Sequence, residues 1–357
     1  MAAPLDLTLS TPELTRVICD IPSVSGDEAS LADAIEATLA PLAHLEVTRD
    51  GDAIVARTTL GRAQRVVIAG HIDTVPINDN LPCTLEDGVL WGRGTVDMKG
   101  GCAVQLTLAA ELTDPPVDLT WIWYDNEEVD SSINGLGRLS RNRPDLLAAD
   151  FAILGEPSNA EIEGGCNGTL RADVTTRGRR AHSARSWMGE NAIHGAAAVL
   201  ARLEAYEAAQ IEVDGLVYRE GMNAVGIAGG VAGNVIPDEC TVHVNYRFAP
   251  SRDAADAEAH LREVFAGLEV EIEVVDLAEG ARPGLDAPIA KAFVEAVGSE
   301  AKPKYGWTDV ARFSALGIPA VNYGPGDPSL AHADDERVPV EHIERVERGL
   351  RAWLLGS

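Results

Sequence analysis

The sequence predicts an α/β protein with a smaller α+β domain inserted into it. Short, nearly continuous apolar runs alternate with helix-like stretches over the first half of the chain and return near its end. Such runs are typical of strands that are buried on both faces of a parallel or mixed sheet. A length of 357 residues corresponds to about two domains, and a hydrophobic content of 46% is enough for a packed core.

The elements of the larger domain follow in order along the chain. A helix is expected to begin at Ser10, with Pro12 in its first turn, and a second helix runs from Asp27 to Leu39. A third helix is expected from Lys99 to Leu112. The apolar runs predicted as strands are Arg65–Gly70, Leu119–Tyr124, Phe151–Leu154 and Ile318–Tyr323. We expect a mixed, mostly parallel sheet with helices around it.

The segment 169–279 has a different pattern, in which strands and helices follow the order β-α-β-β-α-β. Thr169–Arg177 alternates apolar and polar residues like a half-exposed strand. The further elements predicted are a helix at Asn191–Glu207, strands at Asn223–Ala228 and Glu239–Phe248, a helix at Ala254–Phe265 and a strand at Val270–Val275. This order is typical of a ferredoxin-like α+β domain with an antiparallel sheet. The predicted domains are therefore 1–168 with 280–357, and the inserted domain 169–279.

Composition excludes several classes of function. A net charge of −27 argues against nucleic acid or an anionic membrane surface as the partner. No apolar run approaches the ~20 residues that cross a membrane, and the first residues do not resemble a signal peptide. The five cysteines are odd in number and lack metal-site spacing, so we expect reduced thiols in a cytoplasmic protein.

Two histidines and several carboxylates follow the predicted strands or lie in turns, where they can converge. Asp97 lies in the glycine-rich turn Trp91–Gly101, and the ligands of open α/β sheets bind beyond the carboxyl ends of the strands. The candidate metal ligands are His71, Asp97, Glu128, Glu156 and His332. Two metal ions need a bridging carboxylate and a mixed nitrogen and oxygen donor set. We expect Asp97 to bridge, with His71 and Glu156 on one ion and Glu128 and His332 on the other.

Two further carboxylates have predicted catalytic roles. Glu127 adjoins the ligand Glu128, and a carboxylate there can take a proton from the attacking water and pass it to the leaving amine. Asp73 follows His71 by two residues, and it can accept a hydrogen bond from the ring nitrogen that does not bind metal.

These motifs together resemble one family, the co-catalytic zinc deacylases and exopeptidases that include aminoacylase, acetylornithine deacetylase, glutamate carboxypeptidase and succinyl-diaminopimelate desuccinylase. The matching motifs, in order, are His71-Ile-Asp73, Gly92–Gly101, Glu127-Glu128, Gly155-Glu156-Pro157 and Ala331-His332. The resemblance implies two divalent ions, with zinc expected and cobalt as the alternative. It also implies that the peptide bond after Asp97 is cis.

Within the family, the resemblance is to members that remove succinate from N-succinyl-LL-2,6-diaminopimelate. It implies that 169–279 is a lid and the site of homodimerisation, and that His182 reaches the partner's active site to stabilise the oxyanion. Further residues that the resemblance implies in binding the anionic substrate are Asn234, Arg247, Thr308 and Arg312.

Two other functions stay open from the sequence. An acetylornithine-type deacetylase or a dipeptidase would use the same metals with a different pocket. Cys166-Asn167-Gly168 stands where many desuccinylases have Arg-Arg-Gly, and the Thr308–Arg312 motif has one extra residue, so both departures bear on acyl specificity. A metal-stabilised scaffold or regulatory protein is the non-catalytic alternative, although it would have no need of Glu127.

Overall fold

The chain divides into two compact units in a computed structural model, which describes residues 3–356. Unit 1 comprises the chain up to Gly165, Pro283–Lys302 and the chain from Thr308 onward. Unit 2 comprises Cys166–Arg282 and Pro303–Trp307. The predicted insertion 169–279 lies within unit 2. The short segment Pro303–Trp307 belongs to unit 2 as well, although the sequence pattern places it in the larger domain, 1–168 with 280–357.

Both units contain helices. Within residues 3–356 the α-helices are α1 (Thr11–Cys19), α2 (Ala29–Leu39), α3 (Lys99–Glu111), α4 (Gly135–Asn142), α5 (Pro144–Leu147), α6 (Ala192–Glu204), α7 (Ala254–Val264), α8 (Pro288–Val297), α9 (Val310–Ala315) and α10 (Val340–Leu355). Two 3-10 helices cover Ser183–Met188 and Pro328–Leu330. No helix in this part of the chain combines the length and the apolar character needed to span a membrane.

The strands of the described chain are mostly short. In chain order they are β1 (Glu46–Asp50), β2 (Ala53–Arg57), β3 (Arg65–His71), β4 (Thr84–Glu86), β5 (Val89–Trp91), β6 (Asp118–Tyr124), β7 (Phe151–Pro157), β8 (Glu163–Gly164), β9 (Gly168–Arg177), β10 (Ala181–His182), β11 (Gln210–Val213), β12 (Leu216–Arg219), β13 (Gly221–Gly229), β14 (Val235–Ile236), β15 (Glu239–Phe248), β16 (Val270–Ala278), β17 (Lys302–Pro303), β18 (Ala320–Gly324) and β19 (Arg337–Pro339).

Unit 1 is built on an eight-stranded sheet in the order β1-β2-β6-β3-β7-β18-β8-β17. The four central strands β6, β3, β7 and β18 pair in parallel, while β1, β2 and β8 pair antiparallel at the flanks. The predicted mixed sheet is thus confirmed, with its parallel pairing confined to the centre. All four predicted apolar runs form these central strands. Every residue of β6, β7 and β18 is buried, as expected of strands that are covered on both faces.

The first helix of unit 1 begins where local chemistry favours it. The carboxylate of Glu13 accepts the main-chain N–H of Ser10 at 3.2 Å, which completes a capping box at the start of α1. Helix α3 is buried along most of its length and packs against β3, directly behind the loop that carries Asp97. The sheet and its helices share one large apolar core.

Unit 2 contains a four-stranded sheet in the order β13-β15-β9-β16, in which all three pairings are antiparallel. Along the chain these strands and the two longer helices of the unit follow the order β9-α6-β13-β15-α7-β16. A hairpin of β11 and β12 and the short pair β10-β14 were not expected from the sequence. Helices α6 and α7 pack on the sheet and complete an apolar core of its own.

Candidate metal centre

The central strands of unit 1 end at one edge of the sheet, and three of the candidate ligands follow from these ends. His71 is the last residue of β3 and lies opposite Tyr124, the last residue of β6. Glu127 and Glu128 lie three and four residues after the end of β6, and Glu156 lies near the end of β7, the other parallel neighbour of β3. Parallel pairing therefore places a histidine between two carboxylate-bearing segments.

Asp97 joins this edge from the turn before α3 and lies between two histidines. Its Oδ1 lies 3.0 Å from Nε2 of His71, and its Oδ2 lies 3.3 Å from Nε2 of His332. The peptide bond between Asp97 and Met98 is cis, as the family resemblance implies. Each carboxylate oxygen thus faces a different histidine, which is the arrangement a bridging ligand needs.

Two groups of ligand atoms share Asp97. One consists of His71, Asp97 and Glu156, and the other of Asp97, Glu128 and His332; within each group the ligand atoms lie within 4.8 Å of one another. Nε2 of His332 is also 2.9 Å from Oε1 of Glu128. A donor set of one imidazole and two carboxylates per group fits zinc and similar divalent ions.

The orientation of His71 is set by both the main chain and the side chain of Asp73. Nδ1 of His71 donates to the carbonyl oxygen of Asp73 at 3.0 Å, and the carboxylate Oδ1 of Asp73 is farther away at 3.5 Å. The carboxylate of Asp73 accepts the main-chain N–H groups of Glu127 and Glu128 at 3.0 and 3.1 Å. Asp73 therefore contacts the predicted base and one predicted ligand through their backbone, in addition to the expected contact with His71.

Carboxylates dominate the electrostatics of the centre. Burial by itself lowers the pKa of His71, but hydrogen bonds with Asp73 and Asp97 outweigh it and hold that pKa well above the usual value. Hydrogen bonds to Asp97 and then Glu128 raise the pKa of His332 to about 10. Burial acts to raise the pKa of Asp97, yet hydrogen bonds with the two histidines lower it below its usual value. The negative charge that raises the pKa values of both histidines would equally favour a divalent ion, whose binding displaces protons from its ligands.

Glu127 lies against the same centre, in a group with His71 and Glu128 whose ligand atoms are within 4.8 Å. Burial is the largest cause of a pKa for Glu127 well above its usual value. The charge of His71 opposes this shift, and the carboxylate of Asp309 adds to it. A raised pKa suits a group that must both accept and return a proton.

Close packing beneath the ligands depends on glycines. A Cβ on Gly70 would lie 2.6 Å from Cε of Met98, and a Cβ on Gly155 would lie 2.9 Å from the same atom. These glycines precede His71 and Glu156 directly, while Met98 follows Asp97. The absence of side chains at both positions lets the methionine fill the space under the ligand-bearing backbone.

Unit 2 brings together His182, the predicted oxyanion-stabilising residue, and Asn234, a predicted substrate residue, and it separates both from Arg247. Strand β10 ends at His182, whose Nδ1 accepts the N–H of Ala184 at 3.1 Å, and the carbonyl of Asn234 accepts the N–H of Ser183 at 2.9 Å. Arg247 lies eight residues from Glu239, the start of β15, and thus about 27 Å along that strand. Since β14 comes just before the start of β15, His182 and Asn234 lie at one end of this sheet and Arg247 at the other.

Thr308 and Arg312 lie in unit 1, in contact with buried polar side chains. The hydroxyl of Thr308 donates to Oδ1 of Asn322 at 2.9 Å. Nε of Arg312 donates to Asp309, whose other oxygen accepts from Asn134 at 3.0 Å. These contacts link α9 to the loop after β6, and a substrate role for the two residues stays a prediction.

Several residues at the centre were not predicted from the sequence. Glu336 and Arg93 form a buried pair behind Asp97, and Glu28 accepts the N–H of Asn126 at 3.1 Å in the loop that carries Glu127. Glu336 ends an acidic run, Asp334-Asp335-Glu336, which resembles a solvated surface segment. Only their burial distinguishes these carboxylates, and burial is a property of the folded chain.

The model of peptidase family M20/M25/M40 matches residues 67–355 of the chain. The chain belongs to this family. It is 57% identical over 353 residues to the family relative DapE of Mycobacterium tuberculosis (strain ATCC 25618 / H37Rv), covering 99% of this chain and 100% of that protein. It is 49% identical over 361 residues to the succinyl-diaminopimelate desuccinylase of Corynebacterium glutamicum, covering 98% of this chain and 97% of that protein.

The fold is also that of solved M20 structures. The YXEP protein of Bacillus subtilis, a dinuclear metal binding peptidase from the M20 family, superimposes with a TM-score of 0.72 at 16% sequence identity. The match covers 97% of this chain and 96% of that chain. The predicted resemblance to the family is therefore confirmed.

Proposed function

We propose that this protein is a metal-dependent amidohydrolase that removes succinate from N-succinyl-LL-2,6-diaminopimelate and releases LL-diaminopimelate. The observation that carries the proposal is the pair of ligand groups that share Asp97, with Glu127 beside them. Identity of 49% to the desuccinylase of Corynebacterium glutamicum over nearly the whole chain supports the substrate. We propose zinc as the metal, with cobalt as the alternative.

Each residue of the centre has a different role in the proposed amide hydrolysis. Two divalent ions would polarise the amide carbonyl and lower the pKa of the attacking water. His71 and Glu156 would hold one ion, Glu128 and His332 the other, and Asp97 both. Glu127 takes the proton of the water and passes it to the leaving amine. The carbonyl oxygen of Asp73 accepts the proton on Nδ1 of His71, which leaves Nε2 of the same ring unprotonated and available to a metal ion.

We further propose that unit 2 is a ferredoxin-like lid through which two copies of the chain associate. Strand β13 is an edge of its sheet and carries no charged residue from Gly221 to Gly229. Val225 and Ile227 on this strand are 66% and 53% exposed. Uncharged, exposed edge strands are sites where another chain pairs. The opposite edge, β16, carries Glu271 and Glu273 instead.

A second copy also accounts for the separated substrate residues. Because His182 and Asn234 lie at the far end of the sheet from Arg247, we propose that the partner supplies His182 and Asn234 to a substrate whose carboxylate binds Arg247. His182 would donate a hydrogen bond to the oxyanion of the tetrahedral intermediate. Thr308 and Arg312 are proposed to contact the substrate as well. A cytoplasmic location stays a prediction.

The experiment that tests the function compares substrates on zinc-reconstituted protein. We expect release of succinate from N-succinyl-diaminopimelate, and much slower release of acetate from acetylornithine at equal concentration. Preference for the acetyl substrate would contradict the pocket assignment and leave the metal chemistry intact. The variant Glu127→Gln is expected to retain its zinc and to lose turnover by at least about a hundredfold. Retained turnover in this variant would exclude Glu127 as the base, and no cleavage of either substrate by the wild type would favour a scaffold.

A further inference from the structure

A buried ion pair outside the ligand set connects the two loops that carry Asp97 and His332. Nη1 of Arg93 lies 2.8 Å from Oε2 of Glu336, and the two side chains are only 3% and 1% exposed. Arg93 lies four residues before Asp97, and Glu336 lies four residues after His332. The pair therefore links chain segments that are distant in sequence and adjacent at the centre.

The contacts of the pair reach the main chain on both sides. Oε1 of Glu336 accepts the N–H of Val96 at 2.9 Å and that of Asp97 itself at 3.2 Å. Nη1 of Arg93 also donates to the carbonyl oxygen of Ala333, the residue after His332, at 3.2 Å. Antiparallel pairing of β5 with β19 holds the same two segments together just outside these contacts.

This geometry restrains the backbone of Asp97 while leaving both of its side-chain oxygens for the centre. Oδ1 and Oδ2 of Asp97 face His71 and His332, whereas the contact of Asp97 with the carboxylate of Glu336 is made by its main-chain N–H. A buried ion pair adds little net stability compared with apolar side chains of similar size. Its position between two ligand-bearing loops therefore calls for a role other than general stability.

We propose that Arg93 and Glu336 are positioning residues for the metal centre, which hold Asp97 and His332 at the separation that two divalent ions require. The proposal rests on the proposed function in one respect, namely that Asp97 and His332 bind metal. Residues that orient metal ligands from behind change metal affinity by about 10- to 100-fold when they are replaced.

Glu336→Gln tests the proposal in the full-length protein. Glutamine can keep one oxygen for the N–H groups of Val96 and Asp97, but it places an amide nitrogen against the guanidinium of Arg93, where two donors meet. We expect the zinc dissociation constant, measured by competition with a chelator, to rise about 10- to 100-fold. The visible absorption spectrum of the cobalt-substituted variant is expected to differ from that of the wild type, since the ligand geometry changes.

Glu220→Gln is the matched control. Glu220 in unit 2 is equally buried, pairs with Nε of Arg252 at 2.8 Å and accepts the N–H of Ala249 at 3.0 Å. Glu220 lies outside unit 1, which carries the proposed metal ligands. The variant Glu220→Gln is therefore expected to have a lower melting temperature and a zinc affinity within about twofold of the wild type. The comparison separates a loss of stability from a loss of ligand positioning.

The outcomes decide between the alternatives. Weaker zinc binding in Glu336→Gln but not in Glu220→Gln supports the proposal, and equal zinc affinity in the two variants overturns it. If Glu336→Gln does not fold, zinc affinity is measured in Arg93→Gln instead, because Arg93→Gln keeps both main-chain contacts of Glu336. Unchanged zinc affinity in Arg93→Gln also overturns the proposal. A wild type that binds no zinc would contradict the proposed function itself, which is a separate result.

Discussion

Replacing Asp73 by asparagine isolates the carboxylate that ties the predicted base to its neighbouring ligand. Its two oxygens accept the N–H groups of Glu127 and Glu128, and Oδ2 also accepts the hydroxyl of Ser25 at 2.7 Å. Asparagine has almost the same shape and turns one of these oxygens into an NH₂ group. In either orientation of the amide, one main-chain N–H then faces a donor.

The expected magnitude follows from these contacts. Asp73 is fully buried, so water does not replace the lost acceptor. Removing the acceptor of a buried, charge-assisted hydrogen bond costs roughly 1.5–3 kcal/mol, so the free energy of unfolding should fall by about that amount. Displacement of Glu127 and Glu128 should also weaken zinc binding and turnover by about 10- to 100-fold.

Asp118→Asn provides the control, since Asp118 has the same kind of contacts at the other end of β6. It accepts the N–H groups of Leu60 and Arg62 at 2.8 Å and the hydroxyl of Thr58 at 3.0 Å. Urea unfolding of the metal-free proteins should give a similar loss for both variants. Zinc affinity and kcat should fall only in Asp73→Asn. Equal zinc affinity and kcat in the two variants would refute the positioning role of Asp73.

Two further predictions concern packing and association. Gly101→Ala should destabilise the protein by about 3 kcal/mol or prevent folding, because a Cβ there would lie 2.3 Å from the carbonyl oxygen of Gly155. The control is Gly195→Ala in α6, where the atom nearest to the new Cβ would be 3.5 Å away. Urea unfolding should show this variant to be as stable as the wild type or more stable. A loss for Gly195→Ala as large as that for Gly101→Ala would show that close packing is not the cause. Ile227→Lys on β13 should convert the proposed dimer to a monomer in sedimentation velocity, whereas Val275→Lys on β16, at 54% exposure, should not. A dimer that survives Ile227→Lys would exclude this edge as the interface.

The apolar strands were the most predictable part of the fold. Runs such as Leu119–Tyr124 and Phe151–Leu154 are too short for a buried helix and are typical of strands that are covered on both faces of a sheet. The strand Glu239–Phe248 was predicted with its correct ends, because its alternation of buried and half-exposed residues is regular. The hairpin of β11 and β12 was missed, since its short strands are largely exposed and have no such pattern.

The candidate site was predictable where chemistry and strand position coincide. His71 and Glu156 lie at or near the ends of neighbouring strands, so parallel pairing brings them to one place. The expected contact between His71 and the side chain of Asp73 was only part of the arrangement. The shorter contact is with the main-chain carbonyl, and the carboxylate contacts the peptides of Glu127 and Glu128 as well.

The sequence by itself predicted the type of centre, because ligand chemistry depends on residue types that can be read along the chain. Two histidines and three carboxylates at strand ends or in turns predict a two-metal donor set before any coordinate is known. Only the tertiary structure decided what holds that set in place. The acidic run that ends at Glu336 is indistinguishable from a solvated segment until folding buries its last residue against Arg93 and the N–H of Asp97. Burial and long-range contact arise from packing between distant segments, and no local pattern in the sequence encodes them.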